Sequence, residues 1–212
     1  NWSYCVSNGY LVFIPDVVFR KGEPGASSYD AVVSGVKSLI DRYDFIDKDR
    51  IALNGHSWGG YQIAFLVTRT NMFKAAVSGA PVVNMTSAYG GIRWESGKSR
   101  MFQYEQTQSR IGGTLWDKPA EFIRNSPLFF LPQVQTPVLI MHNDKDGSVM
   151  WEQGIEFFMA LRRLDKPVWL FNYKGEGHHL KKWENRLDYS RRVMEFYDYY
   201  LKDGKKPEWM KS

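Results

Sequence analysis

The chain has 212 residues, 43% hydrophobic and 24% charged, with a formal net charge of +5 and one cysteine, Cys5. That length and balance exclude a disordered chain and suit a single domain with a sizeable core. A single cysteine excludes a disulfide framework and a cysteine-based metal site, and no apolar run approaches the ~20 residues of a membrane span.

Residues 9–18 (GYLVFIPDVV) form a continuous apolar run ended by Pro and Asp, the mark of a strand buried on both faces. In the next segment Val32, Val33, Val36, Leu39, Ile40 and Tyr43 recur at helical spacing, with Ser28 as the expected N-cap. A second buried strand is expected over 50–54, an apolar helix over 61–67 and a third strand over 73–79. The run TPVLIMH (136–142) predicts a fourth strand, followed by a helix over about 151–164. KPVWLFNY predicts a fifth strand, and 184–201 a long final helix stopped by Gly204 and Pro207. Strands alternating with helices define an α/β domain with a mainly parallel sheet.

One segment breaks this rhythm. Between about 82 and 132 no strand is legible, but large rings and charges abound, among them Tyr89, Trp94, Phe102, Tyr104, Trp116 and Phe122. A connection this long inside a compact domain is usually functional. It is expected to be a helical excursion over the carboxyl edge of the sheet, where open α/β sheets bind ligands. The basic residues fall in scattered pairs (Lys181-Lys182, Arg191-Arg192, Lys205-Lys206) rather than in a dense stripe, so they predict a solvated helix face and no nucleic-acid partner. Asn1-Trp2-Ser3 and Asn84-Met85-Thr86 fit the N-glycosylation pattern, which three residues match easily by chance.

The chemistry concentrates at Gly55-His56-Ser57-Trp58-Gly59, a Gly-x-Ser-x-Gly between an expected strand and an expected helix. That context is what a nucleophile elbow requires. Glycines relieve a strained turn, the serine hydroxyl stands clear, and the helix N-terminus favours negative charge, with the Trp58 N–H aimed at a developing oxyanion. Serine needs a base, and the base needs an orienting carboxylate. Asp146 and His178 each follow an expected strand, in the order Ser, Asp, His, at separations of 89 and 32 residues. The catalytic residues are therefore expected to be Ser57, Asp146 and His178. His56 and His142 are expected to be packing or hydrogen-bonding residues, and His179 is the alternative base. Acyl transfer by such a triad needs no cofactor and no metal.

The stretches DRIALNGHSWGGYQ and PVLIMHNDKDGSVMWEQGIEFFMALRRLDKPVWLFNYKGEGHHL, with the closing PEWM, resemble the catalytic domain of prolyl oligopeptidase family serine peptidases of bacterial type. The family pattern His-Gly-x-x-Asp-x-x-Val, set on His142 to Val149, selects Asp146 over Asp144, with Asn143 in place of glycine; the same alignment selects His178 over His179. The resemblance implies an α/β-hydrolase fold over residues 1–212, lacking its first strands. It implies a peptide substrate cleaved after proline or a small apolar residue, held by Trp58, Val82, Met85 and Val149. It also places a β-propeller and a tyrosine oxyanion donor upstream of Asn1, so the 212 residues alone are expected to be weakly active or inactive. A carboxylesterase, and more remotely a non-catalytic binding domain using residues 89–116, are the alternatives. Compartment and oligomeric state, a homo-oligomer included, stay open.

Overall fold

The computed structural model describes residues 2–211. Four strands, β1 (Ala52–His56), β2 (Ala75–Gly79), β5 (Val138–Met141) and β6 (Val168–Phe171), form one sheet in the order β1-β2-β5-β6, and every pair is parallel. β2 and β5 are buried along their whole length, as their uninterrupted apolar or small residues require. Register runs Ala52↔Ala75 to His56↔Gly79 and then Ala76↔Val138 to Gly79↔Met141, so the strands finish together at one carboxyl edge.

Helices α2 (Pro24–Arg42), α3 (Trp58–Val67) and α7 (Trp151–Arg163) pack with residues of the sheet around Leu66, Val67, Ala76, Ile140, Phe157 and Leu161. The long α8 (Trp183–Leu201) covers the other face, where Phe196 and Tyr197 meet Ala75, Val77 and Leu139. The α/β expectation and the helices after each strand are thus met. No helix among the described residues is long and apolar enough to cross a membrane.

The expected strand over 9–18 is not formed. A short helix, α1 (Trp2–Ser7), precedes it, and the apolar run itself has no regular structure. Leu11, Ile14 and Val18 are 73%, 63% and 85% exposed. The physical reason is the lack of a ladder: a strand exists by pairing, and among the described residues β1 is bonded to β2 alone. Ser28 is not an N-cap either. Helix α2 starts four residues earlier on Pro24, a residue suited to a first turn, with Glu23 before it, and the Ser28 hydroxyl donates to the Pro24 carbonyl.

The excursion holds three short helices, α4 (Met85–Tyr89), α5 (Met101–Glu105) and α6 (Pro119–Arg124), and a 3₁₀ turn, Pro127–Gln133. It also contains an unexpected antiparallel pair, β3 (Ile92–Arg93) with β4 (Lys98–Ser99), too short to leave a periodic pattern in sequence. Its rings divide. Tyr89, Tyr104 and Phe122 are buried in a second apolar cluster, whereas Trp94 and Trp116 are 72% and 75% exposed. Asn84 caps α4, its side-chain oxygen accepting from the N–H groups of Thr86 and Ser87 while its amide donates to Glu156. That amide is already engaged in the fold. The sequon at Asn1 lies outside the described residues.

Two glycines bring α3 onto the sheet. A Cβ at Gly60 would overlap the Gly79 carbonyl oxygen, and one at Gly55 would overlap the Gly59 carbonyl, whereas a Cβ at Gly59 would meet only Gln62 Oε1 at 4.0 Å. Gly60→Ala is therefore expected to destabilise the fold by roughly 1–3 kcal/mol, the cost of overpacking. Gly59→Ala, at an open helical position, is expected to be neutral or to stabilise by up to ~1 kcal/mol. Urea midpoints of the two variants check this; equal losses would remove the close-packing account.

Candidate active site

Ser57 sits between the last residue of β1 and the first of α3, with φ +60° and ψ −116°. A side chain bears that backbone only where its surroundings over-determine it. Here the Ser57 N–H donates to Gly79 O at 2.8 Å and the Ser57 carbonyl accepts the Tyr61 N–H at 3.0 Å. The turn is held from both sides. Trp58 begins the helix, so its N–H has no intrahelical acceptor and belongs to the positive end of the helix dipole.

His178 and Asp146 arrive from the loops after β6 and β5. His178 Nε2 lies 2.8 Å from Ser57 Oγ, and His178 Nδ1 lies 2.8 Å from Asp146 Oδ2. A carboxylate beside Nδ1 makes that nitrogen the protonated one, which leaves Nε2 to accept the serine hydroxyl. Asp146 Oδ1 accepts the N–H groups of Ser148 and Val149, each at 2.8 Å. The structure thus brings Ser57, His178 and Asp146 into one hydrogen-bonded line. Asp144 lies outside it, its carboxylate accepting the Gly175 N–H, and His179 is exposed beside it.

The other histidines follow their expected parts. His142 is fully buried at the end of β5, and its Nε2 faces two acceptors, Val149 O at 3.1 Å and Asp146 Oδ2 at 3.3 Å, so one N–H serves both. His56 packs its ring against His178 and His179, with centroids 4.9 and 4.7 Å away. Burial, joined by the proximity of His178 and His179, pushes the His56 imidazole down to about 4. It is neutral near pH 7.

Burial alone would push the Asp146 carboxyl up. Hydrogen bonds from His142, His178 and the Val149 N–H outweigh it and hold the group well below the usual carboxylate range. Three further residues fix the loops, and sequence reasoning missed their roles. Asn143, which replaces the family's glycine, donates to Gly177 O at 2.8 Å and accepts the Tyr173 N–H at 3.1 Å, tying the aspartate loop to the histidine loop. Glu176 is buried and accepts from Lys181 N, Lys182 N and the Asn185 amide. Arg100, buried in the excursion, donates to the Ser148 carbonyl and to the Tyr104 hydroxyl. Only the charged character of the excursion hinted at it.

Trp58, Val82, Met85 and Val149 do fall in one apolar cluster, where Trp58 stacks on Tyr61 at 4.4 Å. Val82, Met85 and Val149 expose 4%, 0% and 3% of their surface, so Trp58 presents most of what a ligand would meet.

A parallel sheet flanked by helices, with a strained serine turn after a strand and acid and histidine loops after later ones, defines the α/β-hydrolase class. Solved structures agree: the *Pyrococcus horikoshii* acylaminoacyl peptidase superposes with a TM-score of 0.77 at 20% identity, over 91% of this chain and 30% of that one. The model of the prolyl oligopeptidase family matches residues 19–204, and the chain belongs to that family. An uncharacterized peptidase of *Bacillus subtilis*, YuxL, is 31% identical over 76% of this chain and 23% of its own length. The acylamino-acid-releasing enzyme of *Rattus norvegicus* is 28% identical over 79% of this chain and 22% of its own length. The dipeptidyl-peptidase 5 of *Porphyromonas endodontalis* is 24% identical over 95% and 31%. The chain therefore spans between a fifth and a third of these relatives.

The lowered carboxylates, Asp146 and Glu176 at the site with Asp117 and Asp188 elsewhere, set a pH dependence. Backbone hydrogen bonding, from Lys181 first, lowers Glu176 as well, against opposition from burial. A carboxyl whose folded value is depressed adds stability above its unfolded value, about 4, and loses it as pH falls through the folded value. Stability is expected to decline from about pH 6.5, because the unfolded chain protonates His56 there while the folded one holds it neutral down to about 4, and to drop further below about 4 as the carboxylates protonate. Glu176→Gln is expected to flatten part of that drop, which urea midpoints across the range measure; an unchanged slope contradicts the assignment.

Proposed function

We propose that this chain is the nucleophile-bearing part of a serine peptidase that acts through an acyl-enzyme. The observation that carries the reading is the unbroken line Ser57–His178–Asp146, each link 2.8 Å, in a member of a peptidase family. In the proposed reaction His178 Nε2 takes the Ser57 proton as Oγ attacks the peptide carbonyl. Asp146, ionised because it titrates so low, keeps the proton on Nδ1 and steadies the imidazolium. His178 then protonates the leaving amine, and in the second half activates the water that releases the acyl group.

The Trp58 N–H is one donor to the oxyanion in this scheme. One such donor is typically worth ~2.7–4 kcal/mol. We place residues 1–212 within a single α/β-hydrolase catalytic domain that works beside a β-propeller. The preferred residue before the cleaved bond is proline or a small apolar residue, since Trp58, backed by the buried Val82, Met85 and Val149, presents an apolar surface. The names of the relatives, acylamino-acid-releasing enzyme and dipeptidyl-peptidase, favour short peptides as substrates.

A fluorophosphonate probe is expected to label the full-length protein and not its Ser57→Ala variant. Asp146→Asn is expected to lower kcat by about 10⁴-fold with the fold intact, because the wrong imidazole tautomer is held. Peptide amides with proline or alanine before the bond should be cleaved. Turnover of p-nitrophenyl esters alone would replace the peptidase reading with an esterase, and the absence of labelling would remove the enzyme reading altogether.

A further inference from the structure

We propose that His56, His178 and His179 form a site for one divalent ion of the zinc class, and that the ion, once bound, withdraws His178 from Ser57. The second half rests on the reading of Ser57 as nucleophile; the site itself does not.

The three imidazoles stand in a triangle, with ring centroids 4.9, 4.7 and 4.8 Å apart. Their candidate ligand nitrogens all lie within 4.8 Å of one another. Among the described residues this is the one such cluster of histidine, cysteine or carboxylate groups. Each ring contributes something different. His56 Nε2 is buried with no hydrogen-bond partner, an arrangement native structures seldom leave without a use. His178 keeps Nδ1–H on Asp146, and a carboxylate behind a histidine is the outer-shell arrangement that orients a zinc ligand and raises its basicity. His179 is exposed, so it can swing inward and gives the ion a route from solvent.

The geometry requires a small closure. Tetrahedral zinc with bonds of ~2.0–2.1 Å sets its nitrogens ~3.3 Å apart, about 1.5 Å nearer than the widest separation here. The exposed His179 is the ring free to rotate toward the other two. Three imidazoles suit zinc, with copper and nickel as competitors, and leave a fourth position for water. The consequence for Ser57 is direct. The Nε2 lone pair that accepts its hydroxyl is the only ligand atom His178 has left, because Nδ1 serves Asp146. It cannot do both, so a bound ion leaves the serine hydroxyl without its base.

The test is calorimetric titration of the chelator-treated, full-length protein with zinc chloride, run beside fluorophosphonate labelling. One saturable ion per chain is expected, and Ser57→Ala should still bind it. Loss of a direct ligand should cost at least the roughly 10–100-fold that loss of an outer-shell partner costs, in His179→Asn and in His56→Gln. Because His56 packs against Gly79, the exposed His179 carries the decisive variant. Zinc should suppress labelling of the native protein, a chelator should restore it, and His179→Asn should resist zinc at the same concentration. Absent saturable binding, or binding unchanged in His179→Asn, overturns the site. Binding without loss of labelling overturns the withdrawal of His178. Binding to a protein that never labels, even free of zinc, would overturn the nucleophile reading and leave the site standing.

Discussion

The approach of helix α3 to the end of strand β2 sets the rest of the site. At Gly60 the helix lies so near the Gly79 carbonyl that a methyl group has no room, and the Ser57 N–H bonds that same carbonyl. With one acceptor shared by the turn and the packing, the backbone at Ser57 has no relaxed alternative and stays at positive φ. The strain is local, and its support is the parallel β1–β2 ladder, which ends at His56 and Gly79. Moving β1 by one residue would break the turn and the close contact at once.

The same carboxyl edge collects the other two groups, and there the controlling term is electrostatic. Burying Asp146 costs free energy, and four hydrogen-bond contacts offset the cost: two backbone N–H groups on Oδ1, and His178 and His142 on Oδ2. These donors also fix the carboxylate plane, and so the tilt of the His178 ring. Arg100 reaches this network through the Ser148 carbonyl and Asn143 through the Gly177 carbonyl. Through Arg100 the excursion helps shape the aspartate loop as well as covering the sheet.

Much of this was legible because the fold orders its functional groups by chain direction. A serine between glycines after one strand, an aspartate after a later one and a histidine after the last need only short-range patterns to find. The core strands were equally plain, since a buried parallel strand leaves an unbroken apolar run. That rule also produced the error at 9–18, where the run is apolar but no described neighbour pairs with it. Composition reports what a segment would bury; it does not supply the partner. The two-residue hairpin had no period to detect. Arg100, Glu176 and Asn143 act through contacts to distant loops or to backbone atoms, which no local pattern encodes. Gly59 erred in the opposite sense: the motif draws attention to it, but the space is tight at Gly60.

His56 shows how packing and charge are reconciled in so small a site. Its ring touches the face of His178, so two charged imidazoles there would repel and would disfavour the imidazolium that the proposed reaction forms. Burial prevents this by holding His56 neutral across the range in which a histidine base works. A larger aliphatic residue would also be neutral, but a Cβ at Gly79 would lie only 2.6 Å from His56 Nδ1, so a flat ring fits where a branched side chain would crowd the strand. The residue before the serine therefore answers two demands together: it fills the narrow gap between β2 and the histidine loop, and it adds no charge. Its Nε2 is left unpaired in a buried setting, as is Nδ1 of His142 behind Asp146.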